Sequence, residues 1–340
     1  MDSVSIALAT YNGMRFLREQ LASYESQELL PTELVVSDDG SDDDTVGMIS
    51  NFAKSAPFPV RILPRQGRLG FADNFFRAAR ACTSEFVAFS DQDDVWLPRK
   101  LEEGVRRLKQ DKSLLSIHTS TLTDASLAPK GLLRQGIRSS RVLEPLQLDP
   151  YFTGGWGNTM VFNRNLLDVA PTACRPREIE VDRPLLHDRW IHTLAAALGR
   201  VSHIDDPLCM YRQHTTNAIG LAKRGLAEHM RALSSVPLVL HRRRVEFYQA
   251  MELIFDDLQS SPNTVWAKAA ASAAKRYRER SMRLEARIRI YTGATISDRL
   301  DEFWKASRLH HADPALGRGS TTLSQMKDLI LGVCGFGRVV

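Results

Sequence analysis

Apolar residues in the first hundred positions come in short dense runs, and each run empties into a polar turn. Val4 to Ala9, broken only by Ser5, leads into Thr10-Tyr11-Asn12-Gly13. Leu34-Val35-Val36 leads into Ser37-Asp38-Asp39-Gly40-Ser41, and Phe86-Val87-Ala88-Phe89 into Ser90-Asp91-Gln92-Asp93-Asp94. Runs of this kind predict strands covered on both faces. Between the first two, Met14 to Glu28 carries Phe16, Leu17, Leu21 and Tyr24 at near-helical spacing, and Pro31 stops that helix before the next strand. Thr45 to Ala53 predicts a short helix, Val60 to Leu63 a strand and Asp73 to Ala81 a helix. Alternation of strand and helix predicts an α/β fold with a parallel sheet, whose ligands gather beyond the carboxyl ends of the strands.

Further along, the glycine-rich Thr153 to Thr159 introduces the strand-like Met160-Val161-Phe162, and His187-Asp188-Arg189-Trp190 precedes a helical run from Ile191 to Leu198. From Leu226 onward strand patterns give way to helical ones.

Carboxylates at strand ends suit a hard divalent cation, which takes oxygen ligands and can grip a diphosphate at the same time. The competing reading of Asp91 is a helix cap, and that of Asp38 or Asp39 an Asx turn with Gly40. Two acidic strand ends in one chain favour a shared crevice.

Taken together, Ala9-Thr10-Tyr11-Asn12-Gly13, Asp38-Asp39-Gly40-Ser41 and Asp91-Gln92-Asp93-Asp94-Val95-Trp96 resemble the inverting glycosyltransferases of family 2. Their GT-A fold is a Rossmann-like, mostly parallel sheet flanked by helices. The Asp-Gln-Asp-Asp-x-Trp form is similar to rhamnosyltransferase-like members that build bacterial surface polysaccharides. The resemblance spans roughly the first two thirds of the chain, and its strength lies in several motifs in the right order.

The resemblance implies a role for each matching position. Thr10 and Tyr11 would lie against the nucleotide base, and Asp39 would accept the hydrogen bond of a pyrimidine N–H, a role open to an acceptor-only carboxylate. Asp91 would lie near the ribose, and Asp93 would coordinate Mn2+ or Mg2+, which stabilises charge on the departing diphosphate. Asp94 would orient the loop behind them. Asp188 would be the base that takes the acceptor's proton, although a carboxylate at a helix N-terminus is also an ordinary cap. Trp156 could present its face to a sugar, or be a core residue beside a glycine bend. In Tyr211 to Asn217, Arg212 would meet phosphate oxygens and His214 would be a further metal ligand. Arg68 falls in a loop resembling the family's diphosphate-side loop, with Asp73 standing where Arg before Asn is common.

Bulk properties fit this expectation. With 340 residues, 43% of them hydrophobic, the chain suffices for a GT-A domain over 1–220 and a basic, mainly helical region over 221–340. Before Thr215 there are 25 Lys and Arg against 28 Asp and Glu, and from Thr215 onward 20 against 12, so the net +5 is concentrated at the back of the chain. The basic helices could meet anionic lipid headgroups, which would suit a lipid-linked acceptor, or could be solvated faces. Nucleic acid is not expected, because no binding motif accompanies the charge. Met1-Asp2-Ser3 runs straight into the first strand and the four cysteines show no metal or redox spacing, so the expected location is cytoplasmic, peripheral at the inner face of the membrane. The proline-rich, charged Pro171 to Pro184 is the expected mobile loop.

The expected function is metal-dependent, inverting transfer of a sugar, rhamnose by the Gln92 variant, from a dTDP- or UDP-linked donor to a hydroxyl of a glycan or lipid-linked acceptor. Three rivals are a haloacid-dehalogenase-type phosphatase using Asp91 as nucleophile, a sugar nucleotidyltransferase, and a non-catalytic sugar-nucleotide-binding protein. The phosphatase motif normally follows the first core strand, and the nucleotidyltransferase loop is replaced by Tyr11-Asn12-Gly13.

Overall fold

A computed structural model describes residues 2–149, 155–214, 235–236, 238–261, 264–310, 326, 328–334 and 338–339. Thr153, Gly154 and Thr215 to Asn217, which belong to two of the sequence motifs, lie outside the described residues. The chain divides into two compact units, one of 1–173 with 186–220, the other of 174–185 with 221–340.

The first unit is built on β1 (Val4–Thr10), α1 (Met14–Glu25), β2 (Glu33–Asp38), α2 (Thr45–Phe52), β3 (Val60–Ile62), α3 (Phe71–Ala81) and β4 (Phe86–Ser90). Every residue of β1, β2 and β4 is buried, which explains why their apolar runs lack alternation. These strands are parallel in the order β3-β2-β1-β4. Register places Thr10 beside Asp38 and Leu8 beside Ser90, so three polar turns emerge together at one sheet edge. Phe16, Leu17, Leu21 and Tyr24 of α1 are buried, as their spacing predicted, and the Tyr24 hydroxyl lies 2.6 Å from Ser90 Oγ.

Beyond β4 the sheet is mixed. The hairpin-like β5 (Val95–Trp96), α4 (Lys100–Gln110), β6 (Ser113–Thr123), β7 (Pro129–Leu133), β8 (Arg141–Leu143), β9 (Met160–Asn163), α5 (His187–Leu198) and β10 (Arg200–Arg212) complete it. β9 pairs antiparallel with both β4 and β6, and β5 pairs antiparallel with the end of β10. The last pairing sets residues 93–96 alongside 209–212. α5 begins four residues earlier than the apolar run predicted, which puts Asp188 in its first turn.

The second unit contains α6 (Leu238–Ser260), α7 (Ala267–Thr292) and α8 (Ile296–His310), the helical region read from the sequence. Tyr248 and Phe255 of α6 pack on Tyr277 of α7 at 5.8 and 5.6 Å between ring centroids. Within 174–185, Arg177 pairs with Pro184 in a β-bridge and its Nε bonds Asp182 Oδ1 at 2.5 Å. No described helix is long and apolar enough to cross a membrane.

Candidate active site

Asp38 and Asp39 divide their work. Asp38 closes the turn: its Oδ2 accepts from the Gly40 and Ser41 N–H groups at 3.0 and 2.7 Å, and its Oδ1 from the hydroxyls of Thr10 and Ser41 at 2.8 and 2.5 Å. Gly40 has φ +89°, a conformation that favours glycine. Thr10, expected at the base, is therefore buried and committed to Asp38. Asp39 faces the other way and clasps the 67–70 loop, accepting from Leu69 N–H at 2.5 Å and Gly70 N–H at 3.0 Å. Arg68 from that loop lies 3.9 Å from Asp39 Oδ2, and its guanidinium stacks 4.1 Å above the Tyr11 ring. Asp39, Arg68 and Tyr11 thus form one cluster at the tips of β1 and β2, with Asn74 of α3 donating to Ser37 and Thr10 carbonyls beneath it.

The turn after β4 is held from three sides. Gln92 bonds the Tyr11 backbone through both ends of its carboxamide, so it is a stitch between the turns after β1 and β4. Asp94 is fully buried, accepting from Arg212 N–H at 3.0 Å and from the Asn158 amide, and thereby orients the loop as expected. Arg212 is 2% exposed. Its Nε donates to the Asp93 carbonyl at 2.8 Å, Nη1 to the Ala125 carbonyl at 2.7 Å and Nη2 to Glu19 at 2.7 Å, while its face covers Phe16. The guanidinium expected at the donor phosphates makes these bonds to protein oxygens and so shapes the loop.

Asp93 and His214 meet. His214 Nε2 lies 2.8 Å from Asp93 Oδ2, and the imidazole packs on Phe16 at 4.6 Å. Among the described residues no group of three or more His, Cys, Asp or Glu side chains forms a metal cage.

Electrostatics join these turns to α5. Burial pushes the Asp91 carboxyl well above the ordinary carboxylate range, reinforced by the negative charges of Asp93, Asp94 and Asp188 and opposed by Lys100. Asp94 is likewise raised to about 7, by burial and then by Asp93. Asp188 is raised by burial, against hydrogen bonds from the Arg189 and Gly157 N–H groups that favour its charged form. A carboxylate so placed is a stronger base than one in water. Trp156, half-buried beside Gly157, packs edge-on to Tyr211 at 5.0 Å.

Two residues of this site were not singled out in the sequence. Lys100 is completely buried beneath the acidic turn, with Nζ 2.9 Å from His118 Nε2, bonded to the Asn158 carbonyl and 4.2 Å over the Trp96 ring. Burial brings its ammonium down to about 8. Asn158 bridges it to Asp94. A signal existed for Lys100, since a charge at the start of α4 directly precedes Leu101, the first residue of the buried stripe Leu101, Val105 and Leu108, but charge there reads equally as a solvated face.

A parallel α/β sheet with acidic turns after its strands is extended here by the antiparallel β9 and followed by α5 with its Asp188. Residues 5–169 match the model of glycosyl transferase family 2, and the chain is a family 2 glycosyltransferase with the GT-A fold. The chain is 28% identical over 219 residues to the dTDP-rhamnosyl transferase RfbG of Shigella flexneri, covering 63% of this chain and 73% of that protein. It is also 28% identical over 142 residues to the UDP-Glc:alpha-D-GlcNAc-diphosphoundecaprenol beta-1,3-glucosyltransferase WfgD of Escherichia coli, covering 42% and 55%. Its fold is similar to that of S. aureus TarS 1-349 in complex with UDP-GlcNAc, with a TM-score of 0.52 at 15% identity over 98% of this chain and 89% of that one. Family and fold set aside the phosphatase and nucleotidyltransferase readings. The enzyme transfers sugar.

Proposed function

We propose that the enzyme is an inverting, metal-assisted transferase that moves one sugar from a dTDP- or UDP-linked donor to a hydroxyl of a lipid-linked glycan. The observation that carries this reading is that adjacent residues of one turn meet both sides, Gly157 donating its N–H to Asp188 and the Asn158 amide bonding Asp94 of the turn after β4. Inversion needs that opposition, because the acceptor oxygen attacks from the face away from the leaving group while a base takes its proton.

Tyr11 and Asp39 would hold the base, with Arg68 beside them, and Asp91 would meet the ribose. The pair Asp93 and His214 offers an oxygen and a nitrogen 2.8 Å apart, with Asp93 in the same turn as the carboxyls of Asp91 and Asp94. That donor set fits Mg2+ or Mn2+, which commonly keeps water and phosphate oxygens in the rest of its shell. When bound there, the cation would neutralise charge on the diphosphate. Asp188 would accept the acceptor proton, and Trp156 would border the acceptor. Rhamnose is supported by the likeness to RfbG, and a UDP-linked hexose by the likeness to WfgD. Peripheral membrane contact through the basic helices is supported by the excess of Lys and Arg from Thr215 onward, although in α7 Arg276, Arg278, Arg287 and Arg289 are paired with carboxylates and Arg280 is buried.

The test is a panel of dTDP- and UDP-sugars assayed for turnover and binding with and without Mn2+. One donor turned over only with the cation is the expected result. Binding of every nucleotide without turnover of any would favour the non-catalytic reading.

A further inference from the structure

The residue just before the proposed base is enclosed by rings. His187 is 2% exposed and stacks on Phe75 at 3.9 Å and 9°. Phe89 of β4 meets it edge-on at 4.8 Å, and Phe71 at 5.3 Å. On its remaining side stands Gly157, where a Cβ would come within 2.6 Å of His187 Nε2. The same Gly157 donates its N–H to Asp188. An imidazole packed this closely has one orientation, and it fixes the first turn of α5 that carries the carboxylate.

The other end of this contact leads to the nucleotide side. Phe71 is the first residue of α3 and directly follows Leu69 and Gly70, the two N–H groups clasped by Asp39. Any ligand that engages Asp39 acts on that loop, and the loop's next side chain touches His187. Gly70, at φ +86°, is the joint between loop and helix. Phe71 is 40% exposed, so its contact with His187 is not locked by a surrounding core.

We propose that His187 is a positioning residue that links the nucleotide-side loop, through Phe71, to the orientation of Asp188. The inference rests on Asp188 as the base. A base displaced by a fraction of an ångström loses rate while the nucleotide pocket is untouched, so the signature is a split between turnover and binding.

The experiment compares His187→Ala, Phe71→Ala, the double variant and Asp188→Asn in the full chain. UDP and dTDP affinities are measured by calorimetry, and turnover with dTDP-rhamnose and UDP-glucose. In His187→Ala, kcat should fall about 10- to 100-fold with nucleotide affinity within about two-fold. Phe71→Ala should lower kcat by about 3- to 10-fold, and the double variant should be no worse than His187→Ala, because both act through one contact. Unchanged kcat in Phe71→Ala, additive losses, or a loss seen in nucleotide affinity alone would overturn the link. Thermal melting identifies a misfolded His187→Ala, in which case Phe71→Ala, truncated at a partly exposed site, decides by itself. Asp188→Asn separates the two layers. If it keeps turnover, the base reading falls and the link with it; if it is inactive while Phe71→Ala is fully active, only the link falls.

Discussion

The carboxamide of Gln92 grips the peptide of Tyr11 at both ends: Oε1 accepts from the Tyr11 N–H at 2.9 Å and Nε2 donates to the Tyr11 carbonyl at 2.9 Å. Side chain and backbone pair here much as two strands would. The turn proposed to carry the nucleotide base is thereby tied to the turn proposed to carry the diphosphate, 81 positions later.

Replacing Gln92 by Leu should therefore loosen both turns without changing which sugar is used. Stability should fall by about 1–3 kcal/mol, the usual range when buried polar groups lose their partner, with weaker binding of every nucleotide in the panel. A changed donor preference at constant affinity would show that Gln92 reads the sugar.

Arg212 and Glu19 make an ion pair of unequal partners. Glu19 is 50% exposed and Arg212 is 2% exposed. Glu19→Gln should cost about 0–1 kcal/mol, as surface pairs do, because water screens it. Arg212→Met should cost about 2–4 kcal/mol, since the Asp93 and Ala125 carbonyls lose their donor together, and metal-dependent nucleotide binding should go with it. Chemical denaturation of the two variants checks the contrast.

Removing the proposed metal pair and the proposed base should give opposite phenotypes. Asp93→Ala is expected to abolish the gain in UDP affinity on adding Mn2+, with cation-free affinity little altered. Asp188→Asn is expected to keep that gain and lower kcat by about 100-fold or more. Calorimetry with and without Mn2+, alongside turnover, reads both.

The raised carboxyls give stability a definite slope. Asp94 titrates at about 7 in the folded state, against the ordinary aspartate value of 3.8 when unfolded. In between, the folded protein still holds a proton that the unfolded chain has released, so this group's contribution falls as pH rises through that window. Asp91, shifted in the same direction, adds to it. Burial lowers His118, His192 and His203, whose contributions rise with pH up to the ordinary histidine value, so the Asp94 share is read as a difference. Melting temperature relative to Asp94→Asn should decline from pH 5 to pH 7.5 in the absence of divalent cation, and Mg2+ should raise the native protein's melting temperature more at pH 7.5 than at pH 5. An equal rise at both values would mean that the cation binds elsewhere.

The strands that seat the site were legible because burial on both faces leaves an uninterrupted apolar run, as in Val4 to Ala9 and Phe86 to Phe89. β10 was not. Asp205, Asp206 and Pro207 interrupt its pattern, and the ladder to β6 is irregular at that point, between Ile204 and Pro207. Asp39, Asp93, Asp188 and His214 could be named because acidic strand ends and the motif order mark them. Lys100, Asn158 and the inward turn of Arg212 could not, since a buried polar group has the same letter as an exposed one and only its partners, distant in sequence, distinguish them. Within the acidic pair of β2, the sequence left open which carboxylate closed the turn; the hydrogen bonds assign that task to Asp38.

Lys100 has a consequence for handling the enzyme. Sealed under Asp91 and Asp94, it is a counter-ion that no chelator can strip and no dialysis can wash out. EDTA should silence the protein and leave it folded, ready for reactivation by adding back the divalent salt.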